Sequence, residues 1–156
     1  MKKQKGFSLI ELLIVVAIIL IIAAIAIPNL LKSKMAANES SAVGSIRTIN
    51  TGEVTYAAGC PNIGYSASLI ELNTGALCAA GTNIIDNVLA TGNKSGYTFA
   101  YTPIVDASGL YTTYTLTAVP QTPGTTGQRG FFSDQTAVIR YSLSGTAPTA
   151  ASSALQ

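Results

Sequence analysis

Hydrophobic and polar positions divide the chain into regimes that predict its elements. From Phe7 to Ile27 every position is apolar except Ser8 and Glu11. Beyond it, Leu31, Met35, Ala42, Ile46, Ile49 and Tyr56 recur at spacings compatible with 3.6 residues per turn, while Lys32, Lys34, Asn38, Glu39, Arg47 and Asn50 are distributed over the other faces. The two regimes predict one long helix from Phe7 to about Ala57, hydrophobic in its first half and amphipathic in its second. Gly59-Cys60-Pro61 ends it, because a glycine at a helix terminus followed by proline is a stop signal. Pro28 removes a backbone donor, and Gly44 and Gly52 weaken the helix, so a kink or local melting is expected at Pro28.

From Cys60 to about Ser95 the chain is rich in Gly, Asn, Ala and Ser and shows no long period, which predicts a connecting loop with a short helix near Ala67 to Leu72. Period-two alternation then begins. Tyr97 to Thr102 alternates aromatic with small residues, and Tyr111 to Val119 sets Tyr114, Leu116 and Ala118 against Thr113, Thr115 and Thr117. Asp106-Ala107-Ser108-Gly109 supplies turn chemistry between them, predicting a hairpin. A connection from Pro120 to Gly130 leads to Phe131 and Phe132, a turn around Ser133-Asp134-Gln135, and a third strand over Ala137 to Leu143. The tail from Thr146 is small and polar and is expected to be mobile. One long helix followed by an antiparallel sheet is an α+β plan.

Length and charge refine this picture. The chain has 156 residues, and removing the apolar start leaves about 125, near the common size of a single domain. The net charge of +2 misleads, because three of nine basic residues, Lys2, Lys3 and Lys5, lie in the first five positions. The later cations Lys94, Arg129 and Arg140 are isolated, so no direct nucleic-acid site is evident.

The apolar run is long enough to cross a bilayer core of about 30 Å. Glu11 is its anomaly: a carboxylate there typically costs about 2.5 to 3.5 kcal/mol and marks a functional position in need of a partner. One reading is an ordinary secretory signal cut after Ala24-Ile25-Ala26, releasing a soluble binding domain. Against it stand Glu11 inside the run and a run longer than the usual apolar core of a signal.

Lys5-Gly6-Phe7-Ser8-Leu9-Ile10-Glu11, followed by the apolar stretch and Pro28, resembles the type IV prepilin N-terminus. The resemblance implies the pilin fold, with the long helix packed on a small antiparallel sheet. It also implies cleavage between Gly6 and Phe7 by a prepilin peptidase that then methylates the amine of Phe7. The implied organisation is a cleaved leader over 1–6, a membrane and filament-core half over 7–28, an amphipathic half over 29–58, a disulfide-closed loop over 59–96, the sheet over 97–145 and a flexible tail over 146–156. Lysines before the span stay cytoplasmic, so the body from Lys32 lies outside the membrane. The freed, methylated amine of Phe7 keeps its charge, and a filament neighbour can present it to Glu11. The family resemblance further implies that Pro28 marks the bend of the helix.

The implied partners are further copies of the chain in a homopolymer, the peptidase and methylase, an inner-membrane platform with its assembly ATPase, and membrane lipid before assembly. The implied location is the bacterial inner membrane for the precursor and then an extracellular filament serving adhesion, twitching motility or DNA uptake. A pseudopilin of a type II secretion system is the alternative within the family.

Cys60 and Cys78 are the only cysteines, and export to an oxidising compartment predicts that they pair. Two cysteines without a histidine fall short of a zinc site, and a catalytic thiol lacks its usual base. The chain contains no histidine and its acids are scattered, so no catalytic residues, cofactor or metal site are expected. Asp106 and Asp134 could contribute to a calcium site as in some pseudopilins, but acid-rich ligand spacing is missing and turn formation is the better reading.

Overall fold

In a computed structural model, residues 6–78 and 83–155 are described. They fall into two units that meet in sequence between Lys34 and Met35. Lys2, Lys3 and Lys5 lie outside the described residues. Helix α1 (Leu9–Gly59) runs through both units, stopping at the glycine of the expected Gly-Cys-Pro signal.

The first unit consists of residues 6–8, outside any helix, and α1 as far as Lys34. Every described side chain in it is exposed apart from Ala23, which is half-buried. Among the described residues α1 is the one helix long and apolar enough to cross a membrane, and none of its apolar stretch is buried. Pro28 lies inside α1, which continues as helix on either side. Proline has no N–H to offer the carbonyl four residues back, so one rung of the helix ladder is absent at Ala24.

The second unit is the head. Its elements are the rest of α1, α2 (Leu69–Thr74), α3 (Asn87–Ala90), β1 (Asn93–Lys94), β2 (Tyr97–Val105), β3 (Tyr111–Pro120), β4 (Gly130–Asp134), β5 (Arg140–Ser142) and β6 (Ser153–Ala154). The six strands form one sheet in the order β1-β2-β3-β4-β5-β6, every neighbouring pair antiparallel. This is the α+β plan expected from the sequence.

The core lies between one face of α1 and one face of the sheet. Ala42, Ile46, Ile49 and Tyr56 are buried against Tyr97, Phe99, Tyr114, Leu116, Ala118 and Phe131. On β3 the predicted face is the buried one: Tyr114, Leu116 and Ala118 are at most 1% exposed. The hairpin forms where expected. The Asp106 carboxylate accepts the backbone N–H of Ser108 and Leu110 at 2.8 and 3.0 Å, which fixes the β2–β3 turn.

Four details differ from the sequence reading. Residues Gly130–Asp134 form β4 and pair with β3, so the turn expected at Ser133 begins instead at Asp134, where Thr136 N–H bonds the Asp134 carboxylate at 2.9 Å. The strand expected over Ala137 to Leu143 is reduced to β5. Helix α2 starts at Leu69 rather than Ala67, because Ser68 is its N-cap and accepts Glu71 N–H at 3.1 Å. The segment expected as a mobile tail carries β6, which pairs with β5, and Leu155 N–H bonds the Ile139 carbonyl at 2.7 Å. Edge pairing of this kind uses backbone groups alone and leaves no hydrophobic period in the sequence.

Candidate functional site

Two regions carry chemistry: the start of α1 and the polar contacts that fasten the second half of α1 to the sheet.

At the start of α1, Gly6, Phe7 and Ser8 precede the helix, and Phe7 is 83% exposed. The Glu11 carboxylate accepts the backbone N–H of Ser8 at 2.9 Å. Ser8 stands at the N-cap and Glu11 at the third helical position, so Ser8-x-x-Glu11 has the spacing of a capping box, and the glutamate half of that box is formed. Within a single chain Glu11 therefore satisfies a helix-end donor. The sequence reading named Glu11 but missed this partner, although a serine three positions before a glutamate at the head of an apolar run is its signal.

Beyond it lies an exposed apolar surface. The leucines, isoleucines and valines from Leu9 to Ile27 are each at least 45% exposed. Surfaces of this extent are not left in water; they are covered by lipid or by protein.

In the head, three buried glutamates couple α1 to what it packs against. Glu39 is 7% exposed. Its carboxylate accepts the N–H of Gln128 and Arg129 at 2.8 and 3.0 Å and the Arg129 guanidinium at 2.7 Å. Burial raises the affinity of this carboxyl for a proton, but these donors and the Arg129 charge outweigh it and hold Glu39 below the usual carboxylate range. Glu53, fully buried, accepts Ser66 N–H at 2.9 Å and the Ser66 hydroxyl at 2.6 Å. There burial prevails over the Ser66 bonds and pushes the carboxyl up.

Glu71 accepts the Tyr56 hydroxyl at 2.9 Å and Leu77 N–H at 2.7 Å. Burial, then the Glu71 carboxylate, pushes the Tyr56 phenol well above its ordinary range. Between these anchors Asn50 donates to the Ser133 hydroxyl at 2.8 Å and accepts the Tyr114 hydroxyl at 3.0 Å.

The sequence reading placed Glu39 and Asn50 on the outer faces of the helix, and the structure buries both. Their signal was present: Glu39, Ala42, Ile46, Ile49, Glu53 and Tyr56 follow one another at alternating steps of three and four, so two acids occupy the apolar stripe itself. Leu31 and Met35, expected on the stripe, stay outside the buried set.

Cys60 and Cys78 are joined by a disulfide, as expected. Among the described residues no group of three or more His, Cys, Asp or Glu is placed to hold a metal ion. Asp106 and Asp134 are each occupied in a turn by a nearby serine or threonine.

Residues 1–27 match the family model described as the prokaryotic N-terminal methylation motif. This motif and stretches of the chain beyond it make the chain similar to type IV pilins, among them the relatives below. The chain is 60% identical over 40 residues to the type IV wide pilus major component PilA4 of Thermus thermophilus, covering 26% of this chain and 30% of that one. It is 44% identical over 54 residues to the type IV major pilin protein PilA of Myxococcus xanthus, covering 35% and 24% of the two chains. It is 34% identical over 102 residues to fimbrial protein Q of Moraxella bovis, covering 64% of each. The matched parts thus span from 24% to 64% of these relatives' lengths, less than two thirds in every case. No solved structure matches the chain.

Proposed function

We propose that this chain is the structural subunit of a type IV pilus, held in the bacterial inner membrane by the first half of α1 and polymerised through it. The observation that carries the reading is the exposed apolar segment from Leu9 to Ile27 behind a capped, acid-bearing helix start and the methylation motif. Prepilin peptidase cuts between Gly6 and Phe7 and the new amine of Phe7 is methylated. In the membrane, lipid covers the aliphatic side chains; in the filament, the same side chains of neighbouring copies do so, and each head is carried outward by its own helix.

Glu11 enters the filament already bonded to Ser8 N–H, with its charge uncompensated. The Phe7 amine of a neighbouring copy supplies the compensating cation. A stranded charge in an apolar bundle costs more than a satisfied pair gains, so the pair acts chiefly on register. Pro28 gives α1 a point of bending where one rung is absent. An inner-membrane platform and an ATPase drive assembly, and the surface filament serves adhesion, twitching motility or DNA uptake, as for pili built by the relatives' family. A pseudopilin role has no observation that favours it over this one.

The test is the mass and N-terminal sequence of the protein isolated from cells. A chain beginning at methylated Phe7 and recovered in long surface fibres is the expected result. An end at Ile27, as an ordinary signal peptidase would leave, overturns the reading.

A further inference from the structure

Two ion pairs form among the described residues of the head. Glu39 takes Arg129, and Asp86 takes Lys94 at 2.7 Å. Arg140 donates to the Ser152 carbonyl at 3.0 Å. Arg47, exposed on α1, has neither an ion pair nor a side-chain hydrogen bond among the described residues. It lines a groove of about 290 Å³ with Glu39, Arg129, Val43, Gly44 and Leu155, and because Arg129 is already paired with Glu39, Arg47 is the uncompensated charge there. Nothing stands within 4 Å of where a Cβ on Gly44 would be, so the groove is open above that residue.

A matching projection exists at the other end of the sheet. The β2–β3 turn exposes Asp106, whose Oδ1 accepts the bonds that hold the turn while Oδ2 has no partner among the described residues. Ile104 and Val105, beside it, are 48% and 49% exposed. The tip is thus a carboxylate flanked by two aliphatic side chains, and the groove is a guanidinium beside Val43 and Leu155.

The two cannot meet within one chain. Arg129 directly precedes β4, whose Phe131 pairs with Ala118 near the far end of β3, whereas Asp106 lies beyond Tyr111 at its near end. The ten residues of β3 separate them by roughly 30 Å.

We propose that the β2–β3 turn of one copy docks into the Arg47 groove of a second copy, Asp106 pairing with Arg47 while Ile104 and Val105 cover Val43 and Leu155. Surfaces of different kind at opposite ends of one head make a heterologous contact, which repeats without closing and so generates a helical filament. The inference rests on the filament reading and assigns a head contact to it, separate from the packing of the apolar helices.

The experiment measures sheared filament yield from cells making the full chain, alongside total and cleaved subunit. Arg47→Gln and Asp106→Asn, the latter keeping the turn bonds, are each expected to lower the yield about fivefold, the factor that a surface pair worth about 1 kcal/mol implies. The double variant Arg47→Gln with Asp106→Asn lowers it no further than either single variant, because the pair is already lost. None of these variants lowers cleaved subunit. The proposal is overturned if the single variants assemble like the parent, or if their losses multiply in the double variant. It is overturned equally if only Arg47 matters, since the groove then holds something other than this turn. A parent chain cleaved after Gly6 but absent from filaments would instead sink the filament reading and this contact with it.

Discussion

At the scale of single residues, the head depends on polar groups placed where apolar ones would ordinarily stand. Glu39 is the clearest case, accepting three hydrogen bonds, from two backbone amides and one guanidinium. Glu39→Gln keeps one oxygen for the amides but loses the ion pair, and half-exposed Arg129 limits the loss. The expected cost is about 1 to 2 kcal/mol, as for hydrogen bonds to charged groups, measured as a lowered melting temperature of the full chain in detergent. The sign of its pH dependence follows from its folded pKa lying below the ordinary 4.5. That contribution is complete above the unfolded value and is lost as pH falls through the folded one. Parent and Glu39→Gln melting temperatures should therefore converge as the pH falls below 4.5 and through the folded value.

Gly127 supplies a second residue-scale case. A Cβ there would run into the Tyr97 hydroxyl, which donates to the Arg129 carbonyl at 2.8 Å. Gly127→Ala is expected to destabilise the same loop by displacing that hydroxyl, detectable as faster amide exchange at Gln128 and Arg129.

At the scale of elements, α1 and the β2–β3 hairpin were legible because each repeats one period over ten residues or more. Strand β4 was hidden because Gly130, Phe131, Phe132 and Ser133 are all buried, so it has no alternation to read. Helix α3 and strands β1 and β6 have four, two and two residues, too few for any period. Apart from the short helix expected near Ala67 to Leu72, the stretch from Cys60 to Ser95 showed no long period because its described residues are held by single anchors: Glu71 on Tyr56, Ser66 on Glu53, Asn73 donating to the Ile85 carbonyl at 2.6 Å, and the disulfide. At the site, the charge at Glu11 was legible while its bond to Ser8 was not recognised.

The disulfide closes a loop with a sequence separation of 18, for which loop entropy predicts about 3 kcal/mol. Replacing both cysteines by serine should lower the denaturation midpoint correspondingly. Faster amide exchange should be concentrated in residues 61–77, because Glu39 and Asn50 still bond the second half of α1 to the sheet side of the head. Unchanged exchange there would show that the Glu53 and Glu71 anchors alone hold the loop.

At the scale of the whole molecule, the deciding question is what Glu11 does that its local bond does not explain. Its carboxylate bonds Ser8 N–H in a single chain, so loss of assembly on removing it could reflect a frayed helix start rather than a lost partner. Two substitutions separate these. Glu11→Ala removes both the cap and the charge. Glu11→Gln keeps an oxygen that can accept Ser8 N–H, as glutamine does in capping boxes, and removes only the charge. If Glu11 pairs with the methylated amine of a neighbouring Phe7, Gln must fail nearly as badly as Ala, since either leaves that amine uncompensated inside an apolar bundle. Breaking a buried pair costs about 3 to 5 kcal/mol, a loss of filament on the order of a hundredfold or more. Both precursors should still insert and be cleaved after Gly6, because the apolar run and the cleavage motif are untouched. Assembly by Glu11→Gln at parental yield, with Glu11→Ala defective, would assign Glu11 to the helix cap and remove the intersubunit pair from the mechanism.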